Sequence, residues 1–326
     1  RNNSVAWGFT NALVDVQDIY IEKVHPSNPN LYLSPSGYVP FDRQLESIRV
    51  RGERDLTFER LATRHGPVLP DDYKDHKRYL PKDTVAALQW TALSTTDKTV
   101  SAGLRMWDFD GVEDFLSGMS DFVAPVQAMV LADKDGRFAM LALGNVPLRK
   151  QDNKILGRAP SPGWDAAYDW NGFIPFQEWL RIQEPLEGIA TANNKLGAQK
   201  FDHFLTSDWD EGWRFDRIAS SVLQNSNPHS ISRSVHAQMD DFSPAYAELA
   251  PIMLNAIRGR ADLDELVIRR LREWDFIENS SNVDSLIFNA WLRHATHKIV
   301  GDELGEVFKN YWRPRAGAFL RWISDS

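Results

Sequence analysis

The 326-residue chain contains no cysteine. That absence removes disulfide bonds, thiolate-held zinc and a thiol nucleophile, and it fits either redox compartment. No run of apolar residues approaches the ~20 that a membrane-spanning helix needs. Positive charge is in deficit: 37 Lys and Arg stand against 45 Asp and Glu, a formal net charge of −8, so a nucleic-acid surface is not expected. Also missing are a G-x-S-x-G nucleophile elbow, a glycine-rich phosphate loop and an H-E-x-x-H zinc helix. The chain opens on "RNNSVAWGF", without Met or a targeting pattern, which reads as a fragment or a processed product. What is plentiful is aromatic. Twelve Trp point to large packing surfaces or pockets for apolar groups. An ordinary apolar fraction of 43% over this length suffices for one large domain or two.

Two styles of sequence follow one another, which makes the chain α+β. Residues 1–225 are expected to be a β-rich part and residues 226–326 a helical one, with helical composition setting in near 210. The stretches 31–41, 46–69 and 85–93 alternate or are rich in strand formers, and in the last Ala86, Leu88, Trp90 and Ala92 share a face. "VQAMVLADKDGRFAMLALG" (126–144) predicts a hairpin around "DKDG". Asp133 and Asp135 lack the further acids of a calcium loop, so a turn is expected there. A helix is predicted after Asp110 as N-cap, with Val112, Phe115, Leu116 and Met119 at i, i+3, i+4, i+7. Residues 145–200, punctuated by Pro and Gly, read as ordered loops over a sheet edge. Beyond 210, Ser243 and Pro244 stand as N-cap and N1 of a helix.

The stretch "VDVQDIYIE" (14–22) is irregular. Val14 and Val16 alternate with Asp15 and Gln17, then Ile19 and Ile21 alternate with Asp18, Tyr20 and Glu22, so the phase slips between Gln17 and Asp18. A slip of one residue implies a bulge or local turn that brings Asp15 and Asp18 together. Converging carboxylates need a positive partner. No Lys or Arg lies between Ala6 and Glu22. A hard cation and an Arg from elsewhere in the fold both answer that need, and a solvated strand edge avoids it.

Other polar groups have bland readings. His294 and His297, at i, i+3 on a helix, have a spacing that can hold a metal, but they are expected to be surface or capping residues. His65, in "TRHGPVL", is expected to be structural. "ATANN" ends on Asn193 and Asn194, which suit either a left-handed turn or uncharged donors to an oxyanion.

Read in order, "NNSVAWGFTNALVDVQDIYIE", "RHGPVL", "GNVPLR", "GWDAAYDWNGFIPF", "GIATANN" and "WRFDRI" resemble the large subunit of penicillin acylases (penicillin amidases) and the related acyl-homoserine lactone acylases. The resemblance runs from residue 1 to about 225 and continues weakly through the helical part. It implies an N-terminal nucleophile hydrolase with an αββα sandwich, matured from a precursor, periplasmic or secreted, that cleaves linear amide bonds. In that family an N-terminal serine of the large subunit attacks the carbonyl, and its own α-amino group is the base. This chain begins with Arg, so the resemblance makes it a central fragment, inactive alone, with the small subunit and flanking large-subunit segments as missing partners. By the same resemblance Asn193 donates to the oxyanion, the Asn11 backbone N–H is the second donor, and Arg214 supports substrate binding and catalysis. The family's calcium site maps onto Asp15, the Gln17 carbonyl, Asp18, Asp202 and, through a backbone carbonyl, Gly157. The expected ligand is a small N-acyl compound: a penicillin, an acyl-homoserine lactone or another amide. A different reading keeps the fold and drops the chemistry, leaving a non-catalytic, calcium-stabilised binding module.

Overall fold

The computed structural model describes residues 1–183, 188–196, 201–224, 229–260, 262–310 and 315–324. They fall into two compact units, Arg1–Asp210 and Glu211–Ser326, and the class is α+β. The expected boundary at 225/226 lies on residues outside those described. The division comes earlier because the helix containing "WRFDRI" belongs with the second unit: Trp213 packs on the helical core, and the Gly317 N–H donates to Glu211 over 2.7 Å.

In chain order the first unit contains β1 (Val5–Asn11), β2 (Gln17–His25), β3 (Asn28–Ser34), β4 (Gly37–Pro40), β5 (Asp42–Ile48), β6 (Leu56–Thr63), β7 (Gly66–Pro67), β8 (Thr84–Trp90), β9 (Gln127–Asp133), β10 (Phe138–Leu143), β11 (Pro147–Arg149), β12 (Ser161–Pro162), β13 (Trp170–Phe173) and β14 (Arg181–Gln183). Helices α1 (Thr99–Arg105) and α2 (Val112–Gly118) separate β8 from β9. One sheet has the order β1-β9-β10-β14, and a second has β12-β2-β3-β4 with β8 also on β2. Strands β5-β6-β7 and β11-β13 make two smaller sheets. The predicted 126–144 hairpin is β9–β10. On one face of this sheet Met129, Leu131, Leu141 and Leu143 are fully buried in a core shared with Val112, Phe115, Leu116 and Met119, the predicted apolar stripe. Gly111, not Asp110, is the N-cap of α2. The polar capping group comes instead from the hairpin, where the Asp133 carboxylate accepts the Val112 N–H at 3.2 Å.

Of the two causes expected for the slip at 14–22, a bulge and a local turn, the structure shows a turn, and it lies ahead of the expected place. Between Gln17 and Lys23 no bulge interrupts β2, and these residues pair without a break with Trp90–Thr84 of β8; the register shifts only at Val24–His25, against β3. The break comes earlier, between two strands in separate sheets. Leu13 holds φ +51°, a left-handed conformation that no strand can continue through. The chain turns there, and the Asp15 N–H donates to Leu205 O at 2.9 Å. The burial of β2 also inverts the hydrophobic pattern. Asp18, Tyr20 and Glu22 form its buried face, while Ile19 and Ile21 are half-buried. The turn-rich residues after 145 therefore lie over a face of β2 rather than only a sheet edge. Tyr20 donates its hydroxyl to Tyr168 O at 2.8 Å, and β12 pairs in parallel with Tyr20 and Ile21.

The second unit is helical: α3 (Trp213–Ile218), α4 (Ile231–Gln238), α5 (Pro244–Ala256), α6 (Glu265–Glu273), α7 (Val283–Leu304) and α8 (Ala316–Ser324). Ser243 and Pro244 take the N-cap and N1 positions of α5 as predicted. Leu249, Met253, Leu271, Trp274, Phe288, Leu292 and Phe319 form its core.

Candidate active site and the buried charges behind it

Asn193 and Asn11, far apart in sequence, meet at the end of β1. The Asn193 side-chain amide donates to the Asn11 carbonyl oxygen over 2.8 Å. Within an antiparallel strand a residue's N–H and C=O point to the same side, and the side alternates along the chain. The Ala12 N–H donates to Val126 O at 3.2 Å, toward β9. Asn11 therefore turns both its backbone groups the other way, to the edge of β1 where Asn193 sits. That edge is the outer one of the sheet among the described residues. The two expected donors, the Asn193 amide and the Asn11 N–H, thus share one edge.

The turn reading of "ATANN" holds. Asn193 has φ +63°, the left-handed conformation that Asn tolerates better than most residues. Asn194 supplies the turn bond, its Oδ1 accepting the Ala192 N–H at 3.0 Å. Thr10 on β1 hydrogen-bonds Thr191 hydroxyl to hydroxyl at 2.9 Å. Gln127 on β9, directly opposite Asn11, donates to Asn11 Oδ1 at 2.8 Å.

Behind this edge, β2 presents charge to the interior. Asp18 is 2% exposed and receives three donors. Arg149 gives Nε to Oδ2 at 3.1 Å and Nη2 to Oδ1 at 2.7 Å, and Trp170 gives its indole N–H to Oδ2 at 2.7 Å. The same Arg149 Nη2 donates to the Asp15 backbone oxygen at 3.2 Å. Gly157 closes the pocket at φ +77°, where a Cβ would stand 2.5 Å from Asp18 Oδ1. Only glycine fits that position. The Asp15 carboxylate accepts the Thr206 hydroxyl at 3.1 Å. Burial pushes the Asp15 carboxyl above its ordinary value; Thr206 and Arg149 oppose the shift, and the charges of Asp208 and Asp18 add to it.

Further along β2, at Glu22, His65 from the link between β6 and β7 lies between two acids. Its Nδ1 is 2.7 Å from Glu22 Oε1 and its Nε2 is 3.2 Å from Asp169 Oδ1. Its ring stacks on Tyr20 at 3.6 Å between centroids. Arg64 completes the group with two hydrogen bonds to Asp169, at 2.9 and 2.6 Å. His65 is buried, with both ring nitrogens engaged.

Four expected calcium ligands, Asp15, Gln17, Asp18 and Gly157, belong to segments that meet around Arg149. The fit to a cation is divided. The charges of Asp208 and Asp18 both act on the Asp15 carboxylate against that of Arg149, and all the donors are oxygen, which suits a hard cation. Asp18, however, already takes three hydrogen bonds from Arg149 and Trp170. Among the described residues no three His, Cys, Asp or Glu side chains are grouped as a metal site. Asp202 is exposed, and Asp208 is the acid from that segment whose charge reaches Asp15. Arg214 is exposed on α3 in the second unit. His294 and His297 are exposed on α7.

The profile of one protein family, described as penicillin amidase, matches residues 1–325. The chain belongs to the penicillin amidase family. Among its relatives is an acyl-homoserine lactone acylase, QuiP, of Pseudomonas aeruginosa, 27% identical over 331 residues, 96% of this chain and 38% of that protein. A penicillin acylase 2 proenzyme of Pseudomonas sp. (strain SE83) is 26% identical over 92% of this chain and 37% of its own length. The penicillin G acylase of Escherichia coli is 25% identical over 90% and 35%. This family member thus spans less than two-fifths of the length of each of these relatives. A solved structure, a thermostable penicillin G acylase from Alcaligenes faecalis, superposes with a TM-score of 0.77 at 22% identity, covering 96% of this chain and 56% of that one, and shares its fold.

Proposed function

We propose that this chain carries the oxyanion donors of an amide hydrolase that removes N-acyl groups. The observation that carries this reading is the meeting of the Asn193 amide with Asn11 at the edge of β1. As a nucleophile adds to the scissile carbonyl, its oxygen becomes an anion. An amide NH₂ has two N–H bonds. One anchors Asn193 on the Asn11 carbonyl, and the same amide, with the Asn11 backbone N–H, is assigned to the developing charge. Fixed donors of this kind act most strongly in the transition state. Attack is assigned to the N-terminal serine that the family resemblance implies. Relatives named for penicillin and for acyl-homoserine lactones share only the N-acyl amide, so that bond is the proposed substrate class. The test is hydrolysis of a phenylacetyl anilide and of a long-chain acyl-homoserine lactone by the full-length gene product, with and without Asn193.

We also propose a structural calcium ion at Asp15, drawing on Asp18, the Gln17 and Gly157 carbonyls and a carboxylate from the 202–208 stretch. Bound there, calcium would neutralise carboxylates and tie distant segments together; it has no part in the bond cleavage. The excess of carboxylate charge supports it, and Arg149 is the competing cation. The other partners proposed are the small subunit and further large-subunit segments of one precursor, in a periplasmic or secreted protein, with no role for nucleic acid or membrane. Among the described residues no helix is long and apolar enough to cross a membrane.

A further inference from the structure

We infer that Thr10 and Thr191 are positioning residues for Asn193: their hydroxyl pair clasps the segment 188–196 to β1 and sets where the Asn193 amide reaches. The inference rests on the reading of Asn193 and Asn11 as oxyanion donors. Thr10 immediately precedes Asn11, and Thr191 stands two residues before Asn193. Their oxygens are 2.9 Å apart. Thr10 lies opposite Ala128 within the β1–β9 ladder, so the clasp is fixed to a paired strand rather than to another loop. Threonine is stiff at χ1, which makes the direction of that hydroxyl a property of the strand.

Asn193 needs such support. A residue at φ +63° persists only where its surroundings over-determine it. Ala192 and Leu196, 3% and 5% exposed, anchor the segment apolarly. The Ala192–Asn194 turn bond and the bridge between Asn194 and Asp210 hold its far side. The threonine pair holds the near side, next to the reacting edge. A displacement of 1 Å costs up to about a hundredfold in rate, so a loosened clasp is expected to cost about tenfold.

The experiment compares Thr10→Val, Thr191→Val, the double variant, Thr10→Ser and Asn193→Ala in the full-length protein, using whichever of the two N-acyl probes the wild type turns over. Valine keeps the shape and removes the hydroxyl. Each single valine variant should lose about tenfold in kcat with KM within about twofold, the double should lose no more than either single, and Thr10→Ser should recover most of the rate. A crystal structure of the double variant gives a second readout, independent of substrate: the Asn193 Nδ2 to Asn11 O distance should pass beyond hydrogen-bond reach. Unchanged kcat in both valine variants, or an unmoved Asn193 amide, overturns the clasp. If the valine variants are normal while Asn193→Ala is impaired, the clasp alone fails. If Asn193→Ala is itself normal, the oxyanion reading fails and the clasp with it.

Discussion

Asn193 reaches the Asn11 carbonyl at 2.8 Å from a backbone held at φ +63°. Contact and strain are therefore joined in one residue. Alanine at this position loses the amide and still suffers the left-handed backbone, whereas glycine loses the amide without the strain. Asn193→Ala is expected to be less stable than Asn193→Gly by about 1 kcal/mol. Urea unfolding of the two variants measures it. Equal midpoints would show that the segment relaxes and that the conformation is not imposed.

Arg149 and Asp18 form an ion pair with both side chains 2% exposed. Such a pair adds little net stability, but removing one partner strands a buried charge. Arg149→Met should cost about 3–5 kcal/mol, and adding Asp18→Asn should recover part of that loss. Thermal melts of the single and double variants check it. A loss near zero for Arg149→Met would mean that another cation already holds Asp18.

The group around His65 sets an acid limit. Burial alone would raise the Asp169 carboxyl, but hydrogen bonds and charge from Arg64 and His65 hold it below its ordinary value. A lowered carboxyl stabilises the fold above its unfolded pKa of about 3.9, and the gain disappears as pH falls through the folded value. Asp169→Asn should therefore be less stable than wild type at pH 7, with the gap closing in strong acid. Asp15 works in the opposite sense. Its raised carboxyl favours the fold at low pH, and that contribution is lost as pH rises through the raised value. Denaturant titrations across pH separate the two. A gap for Asp169→Asn that stays constant down to strong acid would refute the assignment.

Calcium has its own test. Added calcium should raise the melting temperature of the wild type, chelator should reverse the rise, and Asp15→Asn should abolish it. An equal rise in the variant would move the ion elsewhere. No rise at all would leave Arg149 as the cation that balances these carboxylates.

Local patterns foretold local structure. The stripe Val112, Phe115, Leu116 and Met119 and the 126–144 hairpin appear as expected because periodicity and a turn of Asp, Lys and Gly decide them. Strand β2 did not yield to the same reasoning. Its buried face carries Asp18, Tyr20 and Glu22, and their partners Arg149, His65, Asp169 and Trp170 come from remote loops. Alternation reports which residues are apolar; it cannot report that distant cations will make a polar face buriable. Arg149 stood in plain view within "GNVPLR", yet its pairing with Asp18 needs the third dimension. The role of Asp208 is hidden in the sequence for a similar reason, since its influence on Asp15 depends on how the 201–210 segment folds back. Asn193 and Asn11 stand out in the sequence only through family resemblance, and their contact depends on the edge of β1.

The most direct test of the central claim is steady-state kinetics of Asn193→Gly in the full-length protein, measured on the better of the two N-acyl probes. Glycine removes the donor while accepting the backbone conformation, so folding and chemistry are separated. The account predicts a fall in kcat of about a hundred- to a thousandfold, with KM changed far less and the melting temperature retained. A properly folded Asn193→Gly variant with near-normal kcat would contradict it and leave Asn193 as the cap of a turn.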